Sequence, residues 1–126
     1  MPDCKQRLQR AHFVPLCFMS LRLVFSTFPD KDTAQRIATM LVEQRLAACV
    51  NLVPGVQSIY RWQGKMESAD EVLAVMKTTV EMYPQLEARL KELHPYEVPE
   101  ILALPVERAL EAYAVWVGEM TKPECL

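Results

Sequence analysis

Residues 56–78, VQSIYRWQGKMESADEVLAVMKT, decide the fold. Val56 to Trp62 has an extended pattern, Gln63-Gly64-Lys65 supplies a hairpin tip, and Glu71 to Thr78 is almost continuously apolar. Two β-rich runs joined by a tight turn form an antiparallel hairpin, and an unbroken apolar run belongs to a strand covered on both faces. The second arm is therefore the central strand of a sheet. Ala48 to Val53 is a further short β-rich run, and Pro54-Gly55 marks a bend or bulge before Val56, so the first arm is long and interrupted. Around Tyr60-Arg61-Trp62 the hairpin carries apolar surface beyond the core it can cover, as strands that pair with another chain do.

Upstream, Leu21, Leu23, Phe25 and Thr27 alternate with Arg22, Val24 and Ser26 in a first strand that closes at Phe28-Pro29-Asp30. Asp30 is placed to cap a helix over Lys31 to Leu46, in which Ala34, Ile37, Ala38, Leu41 and Leu46 recur at near-helical spacing. Downstream, Pro84 fits a first helical turn, Tyr83, Leu86, Leu90 and Leu93 form the apolar stripe of a second helix, and His94-Pro95 ends it. Ile101 to Val106 is a fourth strand bounded by Pro99 and Pro105. A last helix from about Glu107 to Met120 is expected to place Leu110, Tyr113, Val117 and Met120 on one stripe. The order is the βαββαβ of a ferredoxin-like α+β sandwich with an additional C-terminal helix. Residues 19–121 make this domain, with residues 1–18 as a poorly ordered extension and residues 122–126 as a tail.

A chain of 126 residues is long enough for one core. Hydrophobic residues at 51% and charged residues at 24% are ordinary globular usage. A net charge of -2 with interspersed signs gives no basic stripe, so no nucleic-acid partner is expected. Apolar runs are broken by Arg22, Pro54 or Lys77, far short of the ~20 residues that span a bilayer, so no membrane partner is expected either. Residues 1–18 imitate a signal peptide weakly, but Pro15 interrupts the apolar stretch and no small-residue cleavage site follows. Cys4, Cys17, Cys49 and Cys125 show no C-x-x-C spacing, which points to free thiols and a cytoplasmic location.

Gly55, Gly64 and Gly118 are the three glycines, too few for a nucleophile elbow, a P-loop or a dinucleotide loop, and no hydrolytic or redox enzyme is expected. Cys49 and His94 can be imagined as a thiol and base, but Ala47-Ala48-Cys49-Val50 reads as a small-residue turn into a strand with a buried cysteine. His94 ends a helix, where the dipole favours a cation, and stands six residues before Glu100. An imidazole with a carboxylate can hold a divalent ion, although closing the site takes a sulfur, waters or a symmetry-related chain. In the structural alternative, His94 caps its helix and Glu100 forms a surface pair. The scattered methionines, including Met66, Met76 and Met82, are read as core filler rather than copper ligands. Tyr60 and Trp62 are read as interface anchors of different strand parity rather than as a ligand-stacking pair.

Four ordered motifs complete the reading: LAACVN at 46–51, SIYRWQGK at 58–65, EV at 71–72 leading to MKTT at 76–79, and HPYEVPE at 94–100. From about Leu21 to Met120 the chain resembles the CutA family of divalent-cation tolerance proteins. The resemblance implies a ferredoxin-like fold and a PII-like homotrimer in which long strands extend the sheets of neighbouring chains. An interface formed by sheet extension buries backbone edges and apolar area that unfold only with dissociation, so high thermal stability is expected. The resemblance implies no required cofactor but a divalent metal ion, Cu2+, as partner, with His94, Glu100 and Cys49 as the matching candidate ligands. Where some members carry proposed ligands, a cysteine and a second histidine, this chain has Ser26 and Leu93. The alternative implied by the same architecture is a PII-like regulatory or anchoring module without a metal role.

Overall fold

A computed structural model describes residues 20–123. The expected extension at residues 1–18 and most of the tail at 122–126 lie outside them. Four strands, β1 (Leu21–Phe28), β2 (Cys49–Trp62), β3 (Lys65–Thr79) and β4 (Leu102–Pro105), form one sheet in the order β2-β3-β1-β4. Every neighbouring pair is antiparallel, as a βαββαβ chain requires, with β3 and β1 in the middle. Three helices complete the domain, α1 (Lys31–Glu43), α2 (Tyr83–Leu93) and α3 (Glu111–Met120).

Side chains alternate across the sheet. Val24, Phe28, Val72, Ala74 and Met76 point to one face and pack with Ala34, Ile37 and Leu41 of α1 and Leu86 and Leu90 of α2. This is the main core. The Asp30 Oδ1 accepts the Thr33 amide at 2.7 Å, which starts α1 and lowers the carboxyl pKa. α1 stops at Glu43 rather than continuing to Leu46, because Arg45 takes φ 60. The amides of Leu46 and Arg45 donate back to the carbonyls of Leu41 and Val42, the paired bonds of a Schellman ending with arginine in the place glycine usually fills. The Arg45 guanidinium reaches the carbonyls of Glu119 and Met120 at 3.4 and 3.5 Å, tying the end of α1 to the end of α3.

The last helix begins at Glu111, four residues later than expected, because Leu110 is extended and 77% exposed. Its buried stripe is also shifted in part. Val117 and Met120 pack as expected, but Ala114 takes the place of Tyr113, and Ala114 and Val117 meet Leu21 and Ala48 in a second small core while Tyr113 is 38% exposed. α3 thus covers only one end of the second sheet face. Over the rest of that face Leu23, Phe25, Leu73 and Val75 are half-buried, while Val53, Leu102 and Leu104 are exposed.

The hairpin turn places Gln63 and Gly64 at φ 49 and 78, the two positive values of a I′ turn. At Pro54-Gly55 the register shifts, with Val53 opposite Leu73 and Val56 opposite Glu71. One extra residue in β2 therefore flips its parity, and Gly55 absorbs the kink at φ 76.

Candidate functional site

The bulge decides which side chains meet beyond it. Val53 and Val56 lie on the same sheet face, so Ser58, Tyr60 and Trp62 follow on that face, opposite Ala69, Glu67 and Lys65. Tyr60 and Trp62, two residues apart, share a side; the expected difference in parity does not exist. The outer hairpin is bare, and Met66 there is exposed rather than core filler.

Between this hairpin and the segment after α2 lies a cleft of about 600 Å³. Tyr60 and Trp62 form one wall, Thr27, Ala69 and Glu71 the sheet side, and Tyr96, Glu97, Val98 and Glu100 the other wall. Three carboxylates and three aromatic rings line it, with no lysine, arginine or histidine among the lining residues. Tyr96 fixes the second wall to the sheet, its hydroxyl donating to Glu71 Oε2 at 2.7 Å. Its phenol pKa is pushed far up, first by burial and then by the Glu71 carboxylate.

His94 stands behind that wall and does not line the cleft. Its backbone amide caps α2 on the Leu90 carbonyl at 2.9 Å, and it turns extended before Pro95. The ring is 7% exposed, stacks on Phe28 at 4.6 Å and leans on Tyr96 at 4.9 Å. Nε2 lies 2.9 Å from the Thr27 carbonyl, and Nδ1 lies 3.1 Å from the Tyr96 amide. A carbonyl accepts and an amide donates, so these partners assign the proton to Nε2 and the lone pair to Nδ1. Burial lowers the imidazole pKa, against the raising influence of the Thr27 carbonyl and the Glu71 charge. The helix end therefore holds a neutral ring, not the cation expected from the dipole.

The structure places the other two candidate ligands apart from it. Glu100 is exposed at the cleft. Cys49 opens β2 opposite Lys77, which pairs with Leu23, four residues from Thr27 along β1. It is a half-buried free thiol rather than a core residue, with Lys77 Nζ at 3.8 Å from its sulfur. Cys49 and His94 thus stand near opposite ends of β1 and form no thiol-base pair. Among the described residues no three His, Cys, Asp or Glu side chains gather closely enough to hold a metal ion. His94, Glu100 and Cys49 do not make one copper site within a single chain. Ser26 is fully buried, and its Oγ has no hydrogen-bond partner among the described residues.

Residue type alone does not mark Glu71, Thr27 and Tyr96 as cleft residues, although Glu71 and Tyr96 stand within the quoted motifs. Two signals were available: the parity flip at Pro54-Gly55, and the polar residues interleaved in HPYEVPE.

The family model described as "CutA1 divalent ion tolerance protein" matches residues 22–120. The "Divalent-cation tolerance protein CutA" of Thermus thermophilus is 50% identical over 99 residues, 79% of this chain and 96% of its own. The human "Protein CutA" is 46% identical over 103 residues, and this chain spans 58% of its length. Among solved structures, the T. thermophilus protein superposes with a TM-score of 0.79 at 49% identity, covering 81% of this chain and 99% of that one. CutA1 from Oryza sativa gives a TM-score of 0.80 at 35% identity, covering 83% and 96%. These matches confirm the ferredoxin-like, PII-like fold expected from the strand and helix order. The chain belongs to the CutA1 divalent ion tolerance protein family.

Proposed function

We propose that this protein acts in divalent-cation tolerance as a cytoplasmic homotrimer that binds copper, without catalysing a reaction. The observation that supports assembly is the open sheet face, where Leu102 and Leu104 are 55% and 45% exposed beside half-buried Phe25, Leu73 and Val75. An antiparallel sheet can leave a polar face to water, but a face lined by apolar side chains needs cover, and α3 reaches only one end. Copies of the chain cover the remainder, and closed symmetry is the usual form of such assembly. Light scattering should return about three times the 14.5 kDa chain mass. Leu104→Asp should shift it toward the monomer, and a wild-type mass of one chain would refute the trimer.

Copper is a separate part of the reading, supported by the family's divalent-cation role. A neutral imidazole is the metal-binding form, and for Nδ1 of His94 to bind copper the Tyr96 amide must leave it. With Glu100 near the surface, waters or another copy supply the remaining ligands. A calorimetric copper titration with a competing chelator tests this. Saturable binding at a fixed ratio per trimer, lost in His94→Ala, supports it; weak binding unchanged in the variant excludes it and leaves the trimer standing.

The cleft favours a second reading, a PII-like regulatory or anchoring module without a metal role. Its three carboxylates repel anionic ligands such as nucleotides. A ligand screen that finds nothing bound in the cleft would count against that module.

A further inference from the structure

Cys49 and Lys77 are direct partners across β2 and β3, so their side chains lie side by side on one sheet face. The Ala48 amide donates to the Lys77 carbonyl at 2.8 Å, which fixes the two backbones beside the pair. Lys77 Nζ stands 3.8 Å from Sγ, and both residues are half-buried. Among the described residues no carboxylate pairs with Lys77, and the sulfur is the side-chain partner of its nitrogen. A third group completes the cluster. The Tyr113 hydroxyl of α3 donates to Sγ, and burial, followed by the Cys49 charge and this bond, pushes the phenol pKa up. The pair thus lies at the end of the sheet face that α3 covers, and all three residues belong to one chain.

An amine held against a thiol has a chemistry that neither group has alone. A cysteine oxidised to a sulfenic acid condenses with a nearby nitrogen to give a sulfenamide. We propose that Cys49 and Lys77 form a reversible sulfur–nitrogen crosslink between β2 and β3, driven by hydrogen peroxide. In the first step Sγ attacks one peroxide oxygen. The O–O bond breaks, an S–O bond forms, the second oxygen leaves as water with the thiol proton, and the sulfur is oxidised as the peroxide is reduced. In the second step Nζ attacks the same sulfur. An S–N bond forms, the S–O bond breaks, the hydroxyl leaves as water with one nitrogen proton, and a second nitrogen proton passes to solvent. This step needs no further oxidant, and the paired strands present the amine to the sulfenic acid as soon as it forms. A small thiol reverses the link: its sulfur attacks Sγ, the S–N bond breaks, the amine regains its protons, and a second thiol frees Cys49 and leaves as a disulfide. The crosslink removes the lysine charge and withdraws the thiolate that Cys49 offers as a candidate copper ligand, but the inference itself does not rest on copper.

The test is peptide mapping by mass spectrometry of the full chain, before and after equimolar hydrogen peroxide, with a chelator present so that no metal catalyses the oxidation. The expected product has lost two hydrogen atoms, carries Cys49 and Lys77 in one linked peptide and resists trypsin after Lys77. Dithiothreitol should restore the starting map. Lys77→Arg keeps a positive charge in place but offers no amine, so the linked peptide should be lost and Cys49 should persist as a sulfenic acid that dimedone labels. The wild-type map decides the proposal even if that variant folds poorly. Cys49 recovered unmodified, as a sulfinic acid, or in a disulfide with Cys4, Cys17 or Cys125, with cleavage after Lys77 intact, overturns it. A linked peptide that survives in Lys77→Arg also overturns it, because the bond would then lie on another nitrogen. Failure of the copper titration leaves this result unaffected.

Discussion

The backbone amide of Tyr96 donates to Nδ1 of His94 at 3.1 Å, holding the ring neutral and the chain that follows it in place. The other ring nitrogen is bonded to the Thr27 carbonyl in β1, so one imidazole joins the end of α2, the sheet and the wall of the cleft. Within a single chain this imidazole works as an internal fastener between elements.

That position makes stability depend on pH in a defined direction. Unfolded, the imidazole takes up a proton as pH falls through about 6.5; folded, burial delays the uptake to lower pH. The depressed value means that His94's contribution is complete above about pH 6.5 and is lost as pH falls below it, until the folded ring also protonates. Urea midpoints at pH 7.5 and 5.5 should differ more for the wild type than for His94→Gln. An unchanged difference in the variant would assign the acid sensitivity to other groups.

Tyr96→Phe removes the 2.7 Å bond to Glu71 while keeping the ring. The expected cost is about 1–2 kcal/mol, since Glu71 is left half-buried with one partner fewer. The raised phenol pKa means this contribution is present below the ordinary tyrosine range and fails as pH rises above it. Tyr83, bonded to Glu87, is pushed up to about 12. In an absorbance titration the variant should lose the most alkaline of the phenol steps; loss of an earlier step would contradict the assignment.

Ser26 and Thr78 are both fully buried hydroxyls, with opposite expectations. Thr78 donates to the Leu46 carbonyl at 2.8 Å, so Thr78→Val should destabilise by about 1–2 kcal/mol. Ser26 has no partner for its Oγ among the described residues, so Ser26→Ala should be neutral or stabilise by about 1 kcal/mol. Chemical denaturation of the pair checks this, and a destabilised Ser26→Ala would mean the hydroxyl is bonded in solution.

Gly55 has open space where a Cβ would stand, so the cost of Gly55→Ala is one of backbone conformation at φ 76, about 1–2 kcal/mol. Gly64→Asn should be milder, because a I′ turn accepts asparagine. Melting temperatures of the two variants should fall in that order. Equal losses would show that the bulge and the turn are equally tolerant.

The sequence by itself determined the strand and helix order, the hairpin tip at Gln63-Gly64 and the proline-bounded ends. Each follows from short-range chemistry: alternation, turn residues and the missing amide of proline act over a few positions. It also carried the family, through motifs that survive as written. Only the tertiary structure decided the ending of α1 at Arg45, the partly shifted stripe of α3 and the separation of Cys49 from His94. These depend on which element packs against which, and no local pattern encodes that. The cleft illustrates the difference most directly. Tyr60 and Trp62 face Tyr96 and Glu100 only because one extra residue at Pro54-Gly55 flips the strand's parity and because His94 anchors a segment more than thirty residues away in sequence. A functional site of this kind arises where long-range contacts fix short-range choices, and its residues become legible once the register is known.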